Sequence, residues 1–530
     1  MPRKGIIKLR TIPALFMLLA APAFMVGSVS AADKSTSEDR RGFENRRTSE
    51  DRRVSEDRGA SENRRASKGK QAPTDSDGSS DRLPNMFTAV NSHGEDATYS
   101  TEGFIDLNNP FFKNLGENGR SCASCHVPSQ GWTITPKGVQ ALFEETQGMD
   151  PLFRPVDGAN NPNPLNHPDQ LTLEERRSAY SMLLNKANIR VGIGMPADAE
   201  FELVEADDPY GFASEKELSL FRRPMPTTNL KFLSAVMWDG RETTQDSSSG
   251  DCISGTSDCF SPISVNLSTQ ANNATTGHAE ALRDLSAEER EAIVAFESSL
   301  YTAQVQHSDA GKLTAEKARG GPKAMLQQDY YFGINDTLAG DYQTGEKFNP
   351  NAMSLYNSWN RFKSNKSSDS AKKARAAIAR GQTLFNTKPI QISGVKGLND
   401  DLNTDVLPGT CTTCHNTPNS GNHSTPMPLD IGVSDASRRT PDMPLYTLRN
   451  KETGETVQTT DPGRALMTGK WKDIGRFKGP ILRSVASRPP YFHDGSAADL
   501  PAVVEFYDTR FNIGLTEKEK ADLVAFLSAL

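Results

Sequence analysis

Apolar residues recur at helical spacing in two stretches that lie 230 residues apart. In the first, Leu285-Ser286-Ala287-Glu288-Glu289 leads through Ile293 and Phe296 to Leu300. In the second, Leu515-Thr516-Glu517-Lys518-Glu519 leads through Leu523 and Leu527 to Leu530. Steps of three and four residues put each set on one face of a helix. Each stretch opens with Ser or Thr followed three residues later by Glu, a capping box in which side chains satisfy the free N–H groups of the first turn. Seven of the sixteen positions are identical, which predicts equivalent terminal helices of two related domains. A further helix opens at Leu500-Pro501, because proline suits the first turn, where its missing N–H would be unpaired anyway. Alternating strand patterns are scarce, so the body is expected to be mainly α.

Two N-terminal segments depart from this pattern. Ile12 to Val26 is apolar, follows Arg3, Lys4, Lys8 and Arg10, and precedes Val29-Ser30-Ala31-Ala32. That order of basic, apolar and small residues reads as a secretory signal peptide over 1–32. Pro13 and Pro22 interrupt the run, which falls short of the ~20 apolar residues of a membrane span. After cleavage no transmembrane segment is expected, and the absence of a nearby cysteine excludes a lipoprotein. The location implied is an oxidising compartment, most simply a bacterial periplasm. Residues 37–65 then repeat a charged hexad, from Ser37-Glu38-Asp39-Arg40-Arg41 to Ser61–Arg65, with one Phe and one Val. Such a segment cannot bury a core, and 33–82 reads as a disordered charged tail, either a solvated linker or a docking tail. The expected remainder is an N-terminal domain over 83–310, a connector rich in Gly, Asn, Asp and Tyr over 311–369, and a C-terminal domain over 370–530.

Composition narrows the function. The 530 residues are 35% hydrophobic with a mean hydropathy of −0.58, which excludes a polytopic membrane protein. Residues 1–32 carry four Lys/Arg and no acid, and 33–70 carry 12 Lys/Arg against 9 Asp/Glu. On a total of −7, the body from residue 71 therefore carries −14. Nucleic acid is an unsuitable partner for that body, whereas a basic soluble protein would be steered towards it.

The six cysteines fall into three close pairs. Cys122-Ala123-Ser124-Cys125-His126 and Cys411-Thr412-Thr413-Cys414-His415 both match C-x-x-C-H, the spacing of c-type haem attachment. Two thiols three residues apart can form thioethers to one haem, and the adjacent imidazole supplies an iron ligand. One such motif would leave a zinc site or a redox dithiol open, but two, each followed by His in an exported chain, point to two covalent haem c groups. Cys252 and Cys259, in a turn-rich segment, are left to form a structural disulfide. Such a link stabilises by roughly 2–3 kcal/mol, mainly by restricting the unfolded chain.

Beyond these motifs, Phe477–Ala486 leads into Pro490-Tyr491-Phe492-His493-Asp494-Gly495-Ser496 and the closing helix, and Val236-Met237-Trp238-Asp239-Gly240-Arg241 lies upstream. These segments resemble the bacterial di-haem cytochrome c peroxidases and the related MauG-type enzymes, over most of 100–310 and 370–530. The resemblance implies two cytochrome-c-like haem domains with facing haems. His126 becomes the proximal ligand of the peroxide-reactive haem, and His415 that of an electron-transfer haem. Trp238 is either an electron relay between them or a plain core aromatic. Gln270 and Glu280 have the family spacing of a distal pair, with His278 between. Glu280 and His278 both qualify as the proton acceptor that peroxide cleavage needs, His278 also as a distal ligand and Glu280 also as an ordinary exposed acid.

Several positions depart from the peroxidase pattern. A family Met fourteen residues after the His of H-D-G is Tyr507 here, as in MauG-type enzymes, with Met427 and Met443 as rival ligands. The usual detachable distal His falls on Leu142, and the next His is His167. Calcium between the domains is typical, but its Asn position falls on Pro224, leaving carbonyls near Arg488 and Pro490. His423 has no assigned role. The expected function is a periplasmic oxidoreductase reducing hydrogen peroxide with electrons from a small c-type cytochrome or cupredoxin. The alternatives are MauG-like oxidation of partner-protein side chains and a non-enzymatic di-haem electron carrier.

Overall fold

Both capping boxes form. In the computed structural model, which describes residues 81–530 except 164–167, 249, 254–256 and 363–367, Glu289 N–H donates to the Ser286 hydroxyl at 3.2 Å while the Glu289 carboxylate accepts the Ser286 N–H at 2.8 Å. Thr516 and Glu519 repeat the arrangement. The helices they open span Ala287–Ser299 and Glu517–Leu527, with Ile293, Phe296, Leu523 and Leu527 buried. Phe296 packs on Phe111, and Phe526, its counterpart 230 residues on, packs on Phe385. The signal segment, the hexad tail up to residue 80 and His167 lie outside the described residues.

The body is not mainly α. It is mixed α/β, with 31% helix and 19% strand. The helix that ends at Ser299 runs directly into the strand Leu300–His307, the second in a four-stranded antiparallel sheet of order Gly311–Lys312, Leu300–His307, Gly94–Ser100 and Phe87–Asn91. Its alternation is disguised because buried positions carry hydroxyls and an acid that satisfy one another. Thr98 bonds Thr302 at 3.0 Å, Ser100 bonds Ser299 at 3.3 Å, and Asp96 accepts from Ser484 and Ser487. A second antiparallel sheet, Thr456–Thr459, Leu445–Asn450 and Phe201–Asp207, joins early and late parts of the chain. Polar inward positions are tolerated when hydrogen-bonded, so hydrophobic periodicity alone under-reports such strands.

The 311–369 segment is not a surface excursion throughout. Met353, Leu355, Tyr356, Trp359 and Phe362 are buried in one cluster with Phe385, Phe526 and Leu530. The expected disulfide is present between Cys252 and Cys259, which face each other in a two-residue strand pair.

One ion cluster ties these parts together. Arg222 ends the buried strand Leu218–Arg222. It grips Asp461 with two nitrogens, at 2.7 and 2.9 Å, and also pairs with Asp239. All three side chains are at most 2% exposed. Burial alone would push the Asp239 carboxyl up, but Arg222 and Arg241 outweigh it and hold it at about 2.

Removing one partner of a buried pair leaves a charge uncompensated, at about 3–5 kcal/mol. Arg222→Ala is therefore expected to lower stability by that order, read as a shift of the denaturant midpoint. The stabilisation at Asp239 is complete above the ordinary carboxyl value of 3.8 and is lost as pH falls towards about 2, so the variant's deficit shrinks on acidification. A deficit independent of pH would contradict this assignment.

Candidate functional site

Each C-x-x-C-H motif folds as one tight turn. In the first, the N–H groups of Cys125 and His126 both return to the Cys122 carbonyl, at 3.2 and 3.0 Å. In the second, the turn over Cys411–Thr413 is matched by His415 N–H to Cys411 carbonyl at 3.1 Å. The turn brings both cysteines and the histidine of each motif to the wall of one cavity. The four cysteines are free thiols, each pushed up to about 12 by burial.

The two histidines are held alike. His126 Nδ1 meets the Trp132 carbonyl at 3.2 Å, and His415 Nδ1 meets the Gly421 carbonyl at 2.6 Å, each six residues downstream. A carbonyl can only accept, so Nδ1 carries the proton and Nε2 keeps the lone pair a metal needs. Burial lowers both imidazoles to about 4, which keeps them neutral and ligand-ready.

The cavities span about 1290 and 2040 Å³ of space between atoms, open solvent at their mouths included. They share a wall made of Arg223, Pro224, Met225, Pro226, Leu233 and Trp238. Trp238 Nε1 donates to the Arg223 carbonyl at 2.8 Å, and its ring centroid lies 6.4 Å from that of His493. Three cations line the second cavity without an ion pair among the described residues: Arg223, Arg488 and Lys478. Burial pushes them down to about 9, 10 and 7. Buried charges are normally paired, so this lining suits an acidic group.

These observations fit a covalently attached haem at each turn. Cys122 and Cys125, or Cys411 and Cys414, would hold it, and His126 or His415 would ligate its iron. The unpaired cations suit its carboxylates.

The remaining sequence-derived residues divide. Gln270, His278 and Trp238 line the first cavity. Glu280 does not; it is exposed, with φ 55°, and its carboxylate accepts from Asn118 at 2.9 Å. Tyr507, on the helix Leu500–Phe511, lines the second cavity. Its hydroxyl has no hydrogen bond among the described residues, and burial pushes it up. Neither rival methionine lines that cavity: Met427 is 38% exposed and Met443 packs with Met182 and Phe221. Leu142 packs in the Val139–Phe143 core, away from both cavities. Pro224, at the family's calcium position, gives its carbonyl to the Thr133 hydroxyl. His423 lines the second cavity, with Nδ1 3.1 Å from the Cys414 carbonyl.

Sequence reasoning missed three groups. Arg120 and Asp157 form a buried ion pair beside the first cavity. Both ring nitrogens of His493 are buried without a hydrogen bond among the described residues. Glu297 lines the first cavity, 4% exposed, and burial pushes it up to about 8. Glu297 left a signal, since the matching position of the repeated helix is the apolar Leu527.

No family model matches the chain. Its sequence is 35% identical to the cytochrome-c peroxidase IdrP1 of Denitromonas iodatirespirans over 136 residues, 23% of this chain and 36% of that protein. The IdrP1 of Pseudomonas sp. (strain SCT) is 31% identical over 140 residues, with the same shares. The cytochrome c551 peroxidase of Nitrosomonas europaea is 40% identical over 76 residues, 14% of this chain and 23% of that one. The chain thus spans about a third of the length of the first relatives it matches. Among solved structures, a MauG-like protein associated with microbial copper homeostasis aligns over 80% of this chain and 86% of its own, at 15% identity and a TM-score of 0.33. Over the matched stretches the chain is similar to bacterial cytochrome-c peroxidases, the resemblance carried by the haem motifs and the Tyr491–Ser496 turn.

Glu297 generates a pH test. A carboxyl raised from 4.5 to about 8 keeps its proton in the folded state where the unfolded chain releases it. Stability therefore falls as pH rises through that window. Glu297→Gln is expected to abolish that part of the fall and to gain on the wild type between pH 5 and pH 8 in denaturant midpoint. An equal difference at both pH values would contradict the assignment.

Proposed function

We propose that this chain is a periplasmic di-haem c-type oxidoreductase. It reduces hydrogen peroxide with electrons from a small c-type cytochrome or cupredoxin. The observation that carries the reading is the pair of C-x-x-C-H cavities on either side of one wall that contains Trp238. When bound, haem supplies the redox chemistry, and the protein supplies ligands, protons and exclusion of side reactions.

The residues divide the work. His126 and His415 present neutral Nε2 atoms to iron. Gln270 and His278 furnish the polar groups of the first cavity, where peroxide binds. Trp238 lies in both linings and offers an oxidisable π-system between the two centres. The acidic body favours a basic donor, whose encounter opposite charge accelerates. A second reading, MauG-like oxidation of a partner protein's side chains, is favoured by Tyr507. A phenolate is a harder, anionic ligand than a thioether, and a cation lowers the phenol pKa to favour it.

Pyridine haemochrome quantitation is expected to give two covalent haems per chain, with Cys122→Ala or Cys411→Ala each losing attachment at one site. A ratio near one in matured protein would overturn the di-haem reading. Stopped-flow spectra of the diferric protein should change on mixing with peroxide, and a reduced cytochrome should then be oxidised catalytically. Spectral change without cytochrome turnover would favour the protein-modifying reading, and no change would leave an electron carrier.

Tyr507→Phe is expected to alter the spectrum and potential of one haem alone. An unchanged spectrum with a Met–iron charge-transfer band would reassign the ligand.

A further inference from the structure

We propose that Asp157, paired with Arg120, is the positioning residue that makes His278 the proton-handling side chain of the first cavity. The inference rests on the peroxidase reading above and deepens it. Asp157 and Arg120 are 3% and 2% exposed. Arg120 contacts one Asp157 oxygen and His278 Nδ1 contacts the other. Arg120 is itself fixed by carbonyls: it donates from Nε to Pro151 at 2.8 Å, from Nη2 to Leu152 at 2.7 Å and from Nη1 to His278 at 3.1 Å. Its position two residues before Cys122 ties this chain of contacts to the haem-motif turn.

The consequence is a defined tautomer. Burial would push the Asp157 carboxyl up, but Arg120 and His278 outweigh it and hold it below the usual range. An ionised carboxylate only accepts, so His278 Nδ1 donates to it. Nε2 has no hydrogen bond among the described residues and belongs to a ring on the cavity wall, so it is the nitrogen left to exchange a proton there. The ionisable groups around His278 are Asp157, Arg120, Glu280 and His126. Of these, Glu280 is held outside by Asn118, whose amide donates both to the Glu280 carboxylate and, at 2.8 Å, to the His278 carbonyl. One asparagine thus fixes the histidine backbone and turns away the competing acid.

In this arrangement Nε2 takes the proton from one peroxide oxygen and returns it to the other, which leaves as water when the O–O bond breaks. Two electrons from the redox partner and two further protons then complete the conversion of peroxide to two waters.

The test is a double-mutant cycle on the haem-loaded diferric protein with two probes. The first is the rate of reaction with hydrogen peroxide. The second is the association of cyanide, read optically, which needs a proton acceptor because hydrogen cyanide must release its proton to bind. His278→Ala and Asp157→Asn should each slow the peroxide reaction by ~10²-fold, the scale of general acid–base loss, and slow cyanide association by roughly tenfold or more. Haem content should be unchanged. The double variant should be no slower than His278→Ala alone, because residues acting as one unit are not additive. A merely structural Asp157 would slow the His278→Ala background as much as the wild type, and that outcome overturns the proposal. So does His278→Ala with both rates unchanged, or with a low-spin haem turned high-spin, which would make His278 an iron ligand. If Asp157→Asn alone fails to fold because Arg120 is left unpaired, Asp157→Asn with Arg120→Met removes both charges and enters the same cycle. A wild type inert to peroxide but non-additive with cyanide would sink the peroxidase reading and leave the positioning role standing.

Discussion

The ion pair between Arg222 and Asp239 closes a loop on which both cavities depend. Arg222 immediately precedes Arg223-Pro224-Met225-Pro226, and Asp239 immediately follows Trp238. Those two stretches, with Leu233, make up the wall the cavities share. Pairing the ends of the loop fixes the entry and exit of that wall, and the two bonds from Arg222 to Asp461 pin it to the later part of the chain. Bidentate arginine–carboxylate geometry adds direction to attraction. A buried charge cluster of this kind adds little net stability beyond what an apolar substitute would give. Its effect here is to define the position of a wall that borders both cavities.

Several groups lining the two cavities are bonded only to backbone carbonyls and have no ion pair among the described residues. The paired thiols, the neutral imidazoles and the cations Arg223, Arg488 and Lys478 are all withdrawn from water. A haem would offer each of them a partner, in its vinyl carbons, its iron and its carboxylates. A group that binds the native state alone would stabilise it.

What the sequence disclosed follows from how local each signal is. The C-x-x-C-H turns, the capping boxes and the Cys252–Cys259 pair are set by residues within eight positions of one another, and all three form as read. Tyr507 was singled out by a count of fourteen residues from His493 on the family pattern, and it lines the second cavity. The sheets escaped because Thr98, Ser100 and Asp96 face inward and are paired with residues about 200 to 390 positions away, so polarity concealed burial. Asp157 escaped for the same reason, lying 121 residues from His278. Glu280 misled because spacing along a helix does not survive its end. The helix Ile263–His278 stops two residues earlier, and the positive φ at Glu280 turns its side chain outward.

The two halves repeat a proximal design and diverge in what surrounds it. In each, an aromatic pair from the terminal helix and its neighbour flanks the histidine side, Phe296 with Phe111 and Phe526 with Phe385, and a carbonyl six residues on fixes the imidazole. Around the first cavity stand Gln270, His278, Glu297 and the Arg120–Asp157 pair. Around the second, beyond the shared wall, aliphatic and aromatic side chains such as Phe385, Ile390, Leu429 and Leu523 predominate, with Tyr507 among them and with Arg488, Lys478, His423 and His493 as polar members. Moving protons requires groups that can gain and lose them in place, and the first cavity carries such groups beyond the shared wall. The two linings thus differ away from the wall they share, and Trp238 stands in that wall.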